Sequence, residues 1–442
     1  MRDLILLPLV LIAAAVGLAH PWQGILGWVW VSVMNPHRLT WGFMSSAPVA
    51  ALIGGCVLVG LFISRDRKSL PLVAPVGWLI LFMIWVSVTS VFALFPDEVY
   101  PMWDKVMKIM FMTLVATAVL ETRQHVHALI WMLVISLGFF GVKGGLFTLA
   151  HGGHYQVRGP DSSFIGPNNE LALALVMSIP LMRYCQLQLQ AQVQAQQVWL
   201  RRGLIVAMLL TGLAVLGSQS RGALVAVSAM ALALWWNSSR KLALGVALVF
   251  LSPLMLLFMP DKWWDRMATI QTYHEDESAL GRINAWKMAW NLARDRFFGG
   301  GFEIYNDYVF RLYAPTPEDV HAAHSIYFQV LGEHGFVGLL IYLAFWISVW
   351  RTTRWVQRNA VGEEWRWAAD LSGMVRVSLI GYAVGGAFLS LSYFDLPYYL
   401  MVAMVVVRYK LMLDQAAVPY GLVPGAGWLR KAGSSKGNGA QR

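Results

Sequence analysis

Charge is scarce in this chain, and cysteine scarcer still. Only 13% of its 442 residues are Asp, Glu, Lys or Arg, too few to coat a soluble domain of that length. The two cysteines, Cys56 and Cys185, lie in or beside apolar segments, which excludes a disulfide framework. There is no GxxxxGK[ST] loop to cradle a nucleotide, and no HExxH or Asp-x-Asp pattern to hold a catalytic metal. Neither Ser220 nor Ser325 sits in a GxSxG elbow or has an assigned partner, so a serine hydrolase has no foothold. No internal repeat of the inverted kind stands out, which disfavours a secondary transporter.

What the chain has is apolar length. It is 57% hydrophobic with 21 tryptophans, and long apolar runs separated by short polar clusters predict an all-α polytopic membrane protein. Thirteen such stretches occur, at about 4–20, 22–36, 47–64, 73–95, 103–120, 126–149, 168–185, 203–218, 221–237, 241–259, 324–350, 372–392 and 397–413. The formal charge of +10 comes largely from Lys and Arg at helix ends, so membrane lipids rather than nucleic acid are the expected surroundings. Arg65, Arg67 and Lys68, then Arg201 and Arg202, Arg240 and Lys241, and Arg351, Arg354 and Arg358 mark cytoplasmic loops.

Alternation between those clusters puts loops 96–102, 150–167, 218–221 and 260–323 together on the opposite face. Pro21, Gly24, Gly27 and Pro36 suit an interrupted or re-entrant piece at 22–36, which leaves about 12 transmembrane helices and one large outer loop, 260–323. Residues 186–202 read as a Gln-rich cytoplasmic connector, with an interfacial helix as one form it can take. Residues 1–417 form one transmembrane unit, and 418–442, rich in Gly, Ser and Lys, is expected to be a disordered cytoplasmic tail.

The polar residues worth attention cluster on the outer face. Arg158 precedes Gly166-Pro167-Asn168, which leads into a helix. Ser218 or Ser220 can cap the helix that Arg221 opens. Arg282 opens an amphipathic segment whose Trp286, Ala289, Trp290 and Ala293 share a face, followed by a glycine-rich turn at 299–301. Read as one helix, the next segment repeats His321, Ser325, Gln329 and Glu333 every four residues, a polar stripe with His324 at its edge. Helix N-termini carry the positive end of the dipole and arginine forks onto phosphate, so Arg158, Arg221 and Arg282 read as a pyrophosphate clamp. Any one of these arginines alone reads more readily as a snorkelling interfacial residue; the clamp rests on the trio. Glu318, Asp319, His321 and His324 could form a ligand set, and His151 and His154 also pair, but arginines nearby repel a cation, so no metal is expected.

These elements resemble the O-antigen ligase and O-antigen polymerase superfamily of bacterial inner-membrane glycan transferases. The likeness is carried by Arg158 through Gly166-Pro167-Asn168, by Ser220-Arg221-Gly222, and by Arg282 four residues before Trp286. It continues in His324-x-x-Tyr327-x-Gln329 and Glu333-x-Gly335-x-x-Gly338. Gly385-Gly386-Ala387-Phe388 through Tyr393-Phe394-Asp395 look like the branch described as O-glycosylation ligases. The family often has Asn after the key histidine, where Ser325 stands here.

The resemblance implies a GT-C-like membrane glycosyltransferase architecture in the inner membrane, with a periplasmic active site. It implies undecaprenyl-pyrophosphate-linked O-antigen as donor, lipid A-core as acceptor and no cofactor. His324 would then be the catalytic base and Arg158, Arg221 and Arg282 the pyrophosphate ligands, with Asn168, His321, Ser325, Tyr327, Gln329 and Glu333 in support. Polymerisation of O-antigen repeats and transfer of glycan to a protein hydroxyl use the same chemistry on other acceptors. A lipid-glycan transporter is the different class that stays open.

Overall fold

The structure is a computed structural model and describes residues 2–64, 69–190, 195–237, 241–242, 245–246, 249–250, 259–261, 263–264 and 277–417. Among these residues the regular structure is helical, with no strand. In chain order the helices are α1 (Arg2–Ala19), α2 (Pro21–Met34), α3 (Val49–Ile63), α4 (Ala74–Val91), α5 (Pro96–Val119), α6 (Arg123–Ala150) and α7 (Asn168–Gln190). Then come α8 (Ala195–Gly217), α9 (Arg221–Asn237), α10 (Glu277–Asp295), α11 (Asp307–Tyr313), α12 (Ile326–Asn359), α13 (Arg366–Gly385) and α14 (Asp395–Ala417). Among the described residues eight helices are long and apolar enough to cross a membrane, namely α1, α4, α6, α7, α8, α12, α13 and α14, with α3 and α9 shorter apolar helices. The chain is an all-α polytopic membrane protein. The expected span at 241–259, most of the charged run His274–Glu277 and the tail 418–442 fall largely or wholly outside the described residues.

Two helices form the centre. In α7 every side chain from Leu171 to Met177 is fully buried, and α14 is buried over most of its length. A helix that is apolar all round belongs inside a bundle, and α7 is wrapped by α6, α8, α9 and α13, while α14 is wrapped by α12, α5, α6 and α13.

Two expectations need correction, and the form of the connector is decided. Segment 22–36 is not interrupted: Pro21–Met34 is one continuous helix, and the break falls before it, at His20, with Pro21 opening the new helix. Its 14 residues rise about 21 Å, against a hydrocarbon core of about 30 Å. The Gln-rich connector is helical over its described residues, as an interfacial helix would be, α7 continuing to Gln190 and α8 resuming at Ala195. The polar stripe does not exist as one helical face: α12 starts at Ile326 with Ser325 as its N-cap, so His321 lies in the preceding loop, off the helix register.

Helix α12 is itself broken. Gly335 has φ 68° and ψ −175°, a region essentially confined to glycine. The break takes three carbonyls off the helical ladder, and each finds another donor: Gly332 O accepts from Gly300 N at 2.9 Å, Glu333 O from Gly301 N at 2.8 Å and His334 O from Trp85 Nε1 at 2.9 Å. The glycine-rich turn read from the sequence is therefore a docking piece. Gly299 and Gly301 have φ of 72° and 78°, and a Cβ on Gly299 would fall 2.6 Å from Gly335 N.

The segments grouped by the charge pattern meet at one end of the bundle, although 96–102 is not a loop but the opening turns of α5. Val157 N donates to Gly217 O at 3.0 Å, and Gln219 Nε2 to Gly153 O at 3.1 Å. Leu94 N donates to Gly300 O at 2.8 Å, and Trp263 Nε1 to Leu216 O at 3.1 Å. The connection 386–394 between α13 and α14 joins them, since His324 N donates to Ser390 Oγ at 2.9 Å.

Candidate functional site

At that end, Asn169, Ser220, Arg221, Gly222, Arg282, His324, Phe388 and Leu389 enclose a largely polar cavity of about 180 Å³. Five separate segments supply its wall, and each is fixed by a local device.

Arg221 opens α9, and of the two candidate caps it is Ser220 that serves, accepting from Ala223 N at 3.2 Å. The preceding turn puts Gln219 in the left-handed region at φ 56°. Ser218, buried, is gripped from the α7 side: Asn168 Nδ2 donates to Ser218 O at 2.8 Å. Asn168 thus ties the start of α7 to the start of α9, and its neighbour Asn169 faces the cavity. Two helix N-termini, both positive dipole ends, are held side by side here.

Arg282 comes from α10, which the sequence placed in a loop between spans. The helix buries Ala285, Met288, Ala289 and Leu292. Trp286 stacks on Phe328 with ring centroids 5.0 Å apart and donates Nε1–H to Ala323 O at 2.6 Å. Asn284 holds the chain that returns toward His324: its Nδ2 donates to Thr316 O at 2.7 Å and Asp319 O at 2.9 Å, and its Oδ1 accepts from Thr316 N at 3.0 Å. No pattern in the sequence marked Asn284, because its partners lie more than thirty residues away. The Arg282 guanidinium interacts electrostatically with the Glu170 carboxyl and with His324.

His324 has φ 43°, uncommon for a non-glycine residue, and its N–H is held by Ser390 Oγ. Its Nδ1 is buried and has no hydrogen-bond partner among the described residues. Burial first, then the Arg282 charge and His321, hold the imidazole down to about 4 from the usual 6.5. At neutral pH it is an unprotonated base.

The other expected residues take different places. Arg158 is exposed on the loop before α7 and does not line the cavity. His321 pairs through Nδ1 with Asp319 Oδ1 at 2.8 Å, its ring packed where a Cβ on Gly281 would lie 2.6 Å away. Ser325 is buried at the N-cap position without a side-chain capping bond. Tyr327 donates its hydroxyl to Ala383 O at 2.9 Å. Gln329 and Glu333 point away from the cavity into a buried cluster with Ser392 and Tyr393. Residues 388–390, which give the cavity Phe388 and Leu389 and anchor His324 through Ser390, carried in the sequence only the likeness to O-glycosylation ligases. Among the described residues no group of three or more His, Cys, Asp or Glu side chains could hold a metal ion.

Residues 206–343 match the family described as O-antigen ligase, and residues 1–191 match a family of unknown function (DUF5935). No curated protein matches the chain. The O-antigen ligase match covers about a third of the chain and spans Arg221, Arg282, His324 and the broken first part of α12, and it supports a member of the O-antigen ligase/polymerase superfamily.

Proposed function

We propose that the protein is an inverting glycosyltransferase that moves an O-antigen polysaccharide from undecaprenyl pyrophosphate to the lipid A-core oligosaccharide at the periplasmic face of the inner membrane. The observation that carries this reading is the convergence of two arginines, a helix N-terminus and an unprotonated histidine on one small polar cavity.

Arg221 and Arg282 bind the donor pyrophosphate, aided by the dipole of α9. The acceptor hydroxyl oxygen attacks the anomeric carbon from the face opposite the pyrophosphate. The glycosidic C–O bond breaks, and its electron pair leaves on undecaprenyl pyrophosphate. His324 takes the hydroxyl proton as the oxygen bonds to carbon, and the anomeric centre inverts. The guanidiniums stabilise the charge that grows on the leaving oxygen, so this reading requires no divalent cation. A bound pyrophosphate also offsets the Arg282 charge, which strengthens His324 as a base when the donor is in place.

Arg158, exposed on the loop before α7 and absent from the cavity lining, is not needed at the reacting bond in this reading. The test uses purified protein, undecaprenyl-pyrophosphate glycan and lipid A-core, with and without EDTA. A shifted core band that survives EDTA and vanishes in Arg221→Ala supports the ligase. A ladder of longer carrier-linked glycans instead makes the protein a polymerase. No new linkage at all overturns the transferase reading in favour of transport.

A further inference from the structure

Behind the cavity lies a group of buried side chains that the proposed reaction never touches. Glu333, His334, Tyr393 and Thr89 are each no more than 4% exposed. The Tyr393 hydroxyl is 2.5 Å from Glu333 Oε2 and 2.8 Å from His334 Nε2. His334 Nδ1 is 2.8 Å from Thr89 Oγ1, which is 2.9 Å from Val86 O. On the other side, Gln329 Nε2 donates to Glu333 Oε1 at 3.3 Å, and Gln329 Oε1 accepts from Ser392 Oγ at 2.9 Å. Among the described residues no lysine or arginine pairs with Glu333; the nearest basic group is the neighbouring His334, at 3.9 Å.

Each hydroxyl carries one proton and a neutral imidazole one, so the chain can point in two directions. With Glu333 as carboxylate, Thr89 donates to His334 Nδ1, His334 Nε2–H donates to Tyr393, and Tyr393 donates to Glu333. With Glu333 as carboxylic acid, Glu333 donates to Tyr393, Tyr393 to His334 Nε2, His334 Nδ1–H to Thr89, and Thr89 to Val86 O. The first direction buries a charge inside a membrane protein with only two neutral donors against it. The second uses every proton and buries no charge.

The chain is tied to the base. Ser392 and Tyr393 belong to the connection 386–394, which also supplies Phe388 and Leu389 to the cavity and Ser390 to the His324 N–H. The Ser390 contact holds His324 in its uncommon left-handed conformation. We infer that Glu333 is kept as a carboxylic acid and that, with His334 and Tyr393, it forms a neutral latch positioning His324 through the 386–394 connection. These are positioning residues, and the inference rests on the reading of His324 as the base.

Glutamine is the nearest mimic of a neutral acid here. Its NH2 can donate to Tyr393 while its carbonyl accepts from Gln329. Against a carboxylate the same change fails, because one of two donors then faces an NH2. The experiment takes the full chain in lipid nanodiscs as wild type, Glu333→Gln, Glu333→Ala and Tyr393→Phe. Infrared difference spectra of wild type minus Glu333→Gln at neutral pH should show the C=O stretch of a protonated carboxyl; carboxylate stretches in its place overturn the assignment. Diethyl pyrocarbonate labelling of His324, read by mass spectrometry, should speed up in Glu333→Ala and Tyr393→Phe but not in Glu333→Gln. Equal labelling in all four overturns the latch. In the transfer assay Glu333→Gln should keep the wild-type kcat, whereas Glu333→Ala and Tyr393→Phe lose about a hundredfold in kcat with donor KM unchanged; losses shared equally by Glu333→Gln count against a neutral latch. Should the wild type transfer no glycan, the proposed function falls while the infrared and labelling results still decide the latch.

Discussion

Replacing Arg282 by glutamine should drag the acidic limb of catalysis toward neutral pH. His324 is held near 4 rather than 6.5, with burial the first cause, the Arg282 charge the second and His321 the third. A base works only unprotonated, so kcat/KM, which reports the free enzyme, falls as pH drops through that value. With a value near 4, about 97% of His324 is neutral at pH 5.5, against about 9% for an unperturbed imidazole. The ratio of kcat/KM at pH 5.5 to that at pH 7.5 is then about 1 for the wild type and about 0.1 for an unshifted histidine. Arg282→Gln removes the second cause and leaves the burial, so its ratio should fall between those limits. The variant also weakens the grip on pyrophosphate, but a ratio taken within one variant cancels that loss. A pyrophosphate diester is fully ionised throughout this range, so the limb belongs to the protein. The assay is initial-rate transfer to lipid A-core across pH 5 to 8 at donor concentrations below KM. A wild-type limb near 6.5, or an Arg282→Gln profile superimposable on wild type, would refute the reasoning.

Other outcomes can be checked in the same preparations. Arg221→Ala should lower kcat by about 10²–10³-fold, whereas Arg158→Ala, at an exposed position outside the cavity, should lower it less than about tenfold; equal losses would restore the three-arginine clamp. Gly335→Ala should destabilise the fold, since its φ and ψ cost any other residue about 1–3 kcal/mol and the new Cβ would sit 2.4 Å from Phe297 O. A thermal melt in detergent that matches wild type would contradict that account of the break in α12. Asn168→Ala should cost about 1–3 kcal/mol by stranding the buried Ser218 carbonyl, read as a lower melting temperature.

Much of the architecture could be read from hydrophobicity and charge alone. The apolar runs named nearly every helix, and the Lys/Arg clusters sorted the loops onto faces that the fold brings together at one end. Local chemistry was legible too: Ser220 as a cap, the buried face of α10, and the glycine-rich turn at 299–301. Errors came where a residue's partner is distant in the chain. A four-residue repeat of polar side chains looked like one lining stripe, yet Gln329 and Glu333 answer to Ser392 and Tyr393, about sixty residues on.

By itself, then, the sequence determined that this chain is a bundle of membrane helices and which loops share a face, because burial in lipid and charge asymmetry act segment by segment. Only the tertiary structure decided which arginines reach the histidine. Arg221 and Arg282 line its cavity and Arg158 does not, because Asn168, Asn284, Trp286 and Ser390 set the relative positions of four loops through hydrogen bonds that no local pattern encodes. The break at Gly335 was likewise decided there, by the donors of Gly300, Gly301 and Trp85 that take up the carbonyls it releases.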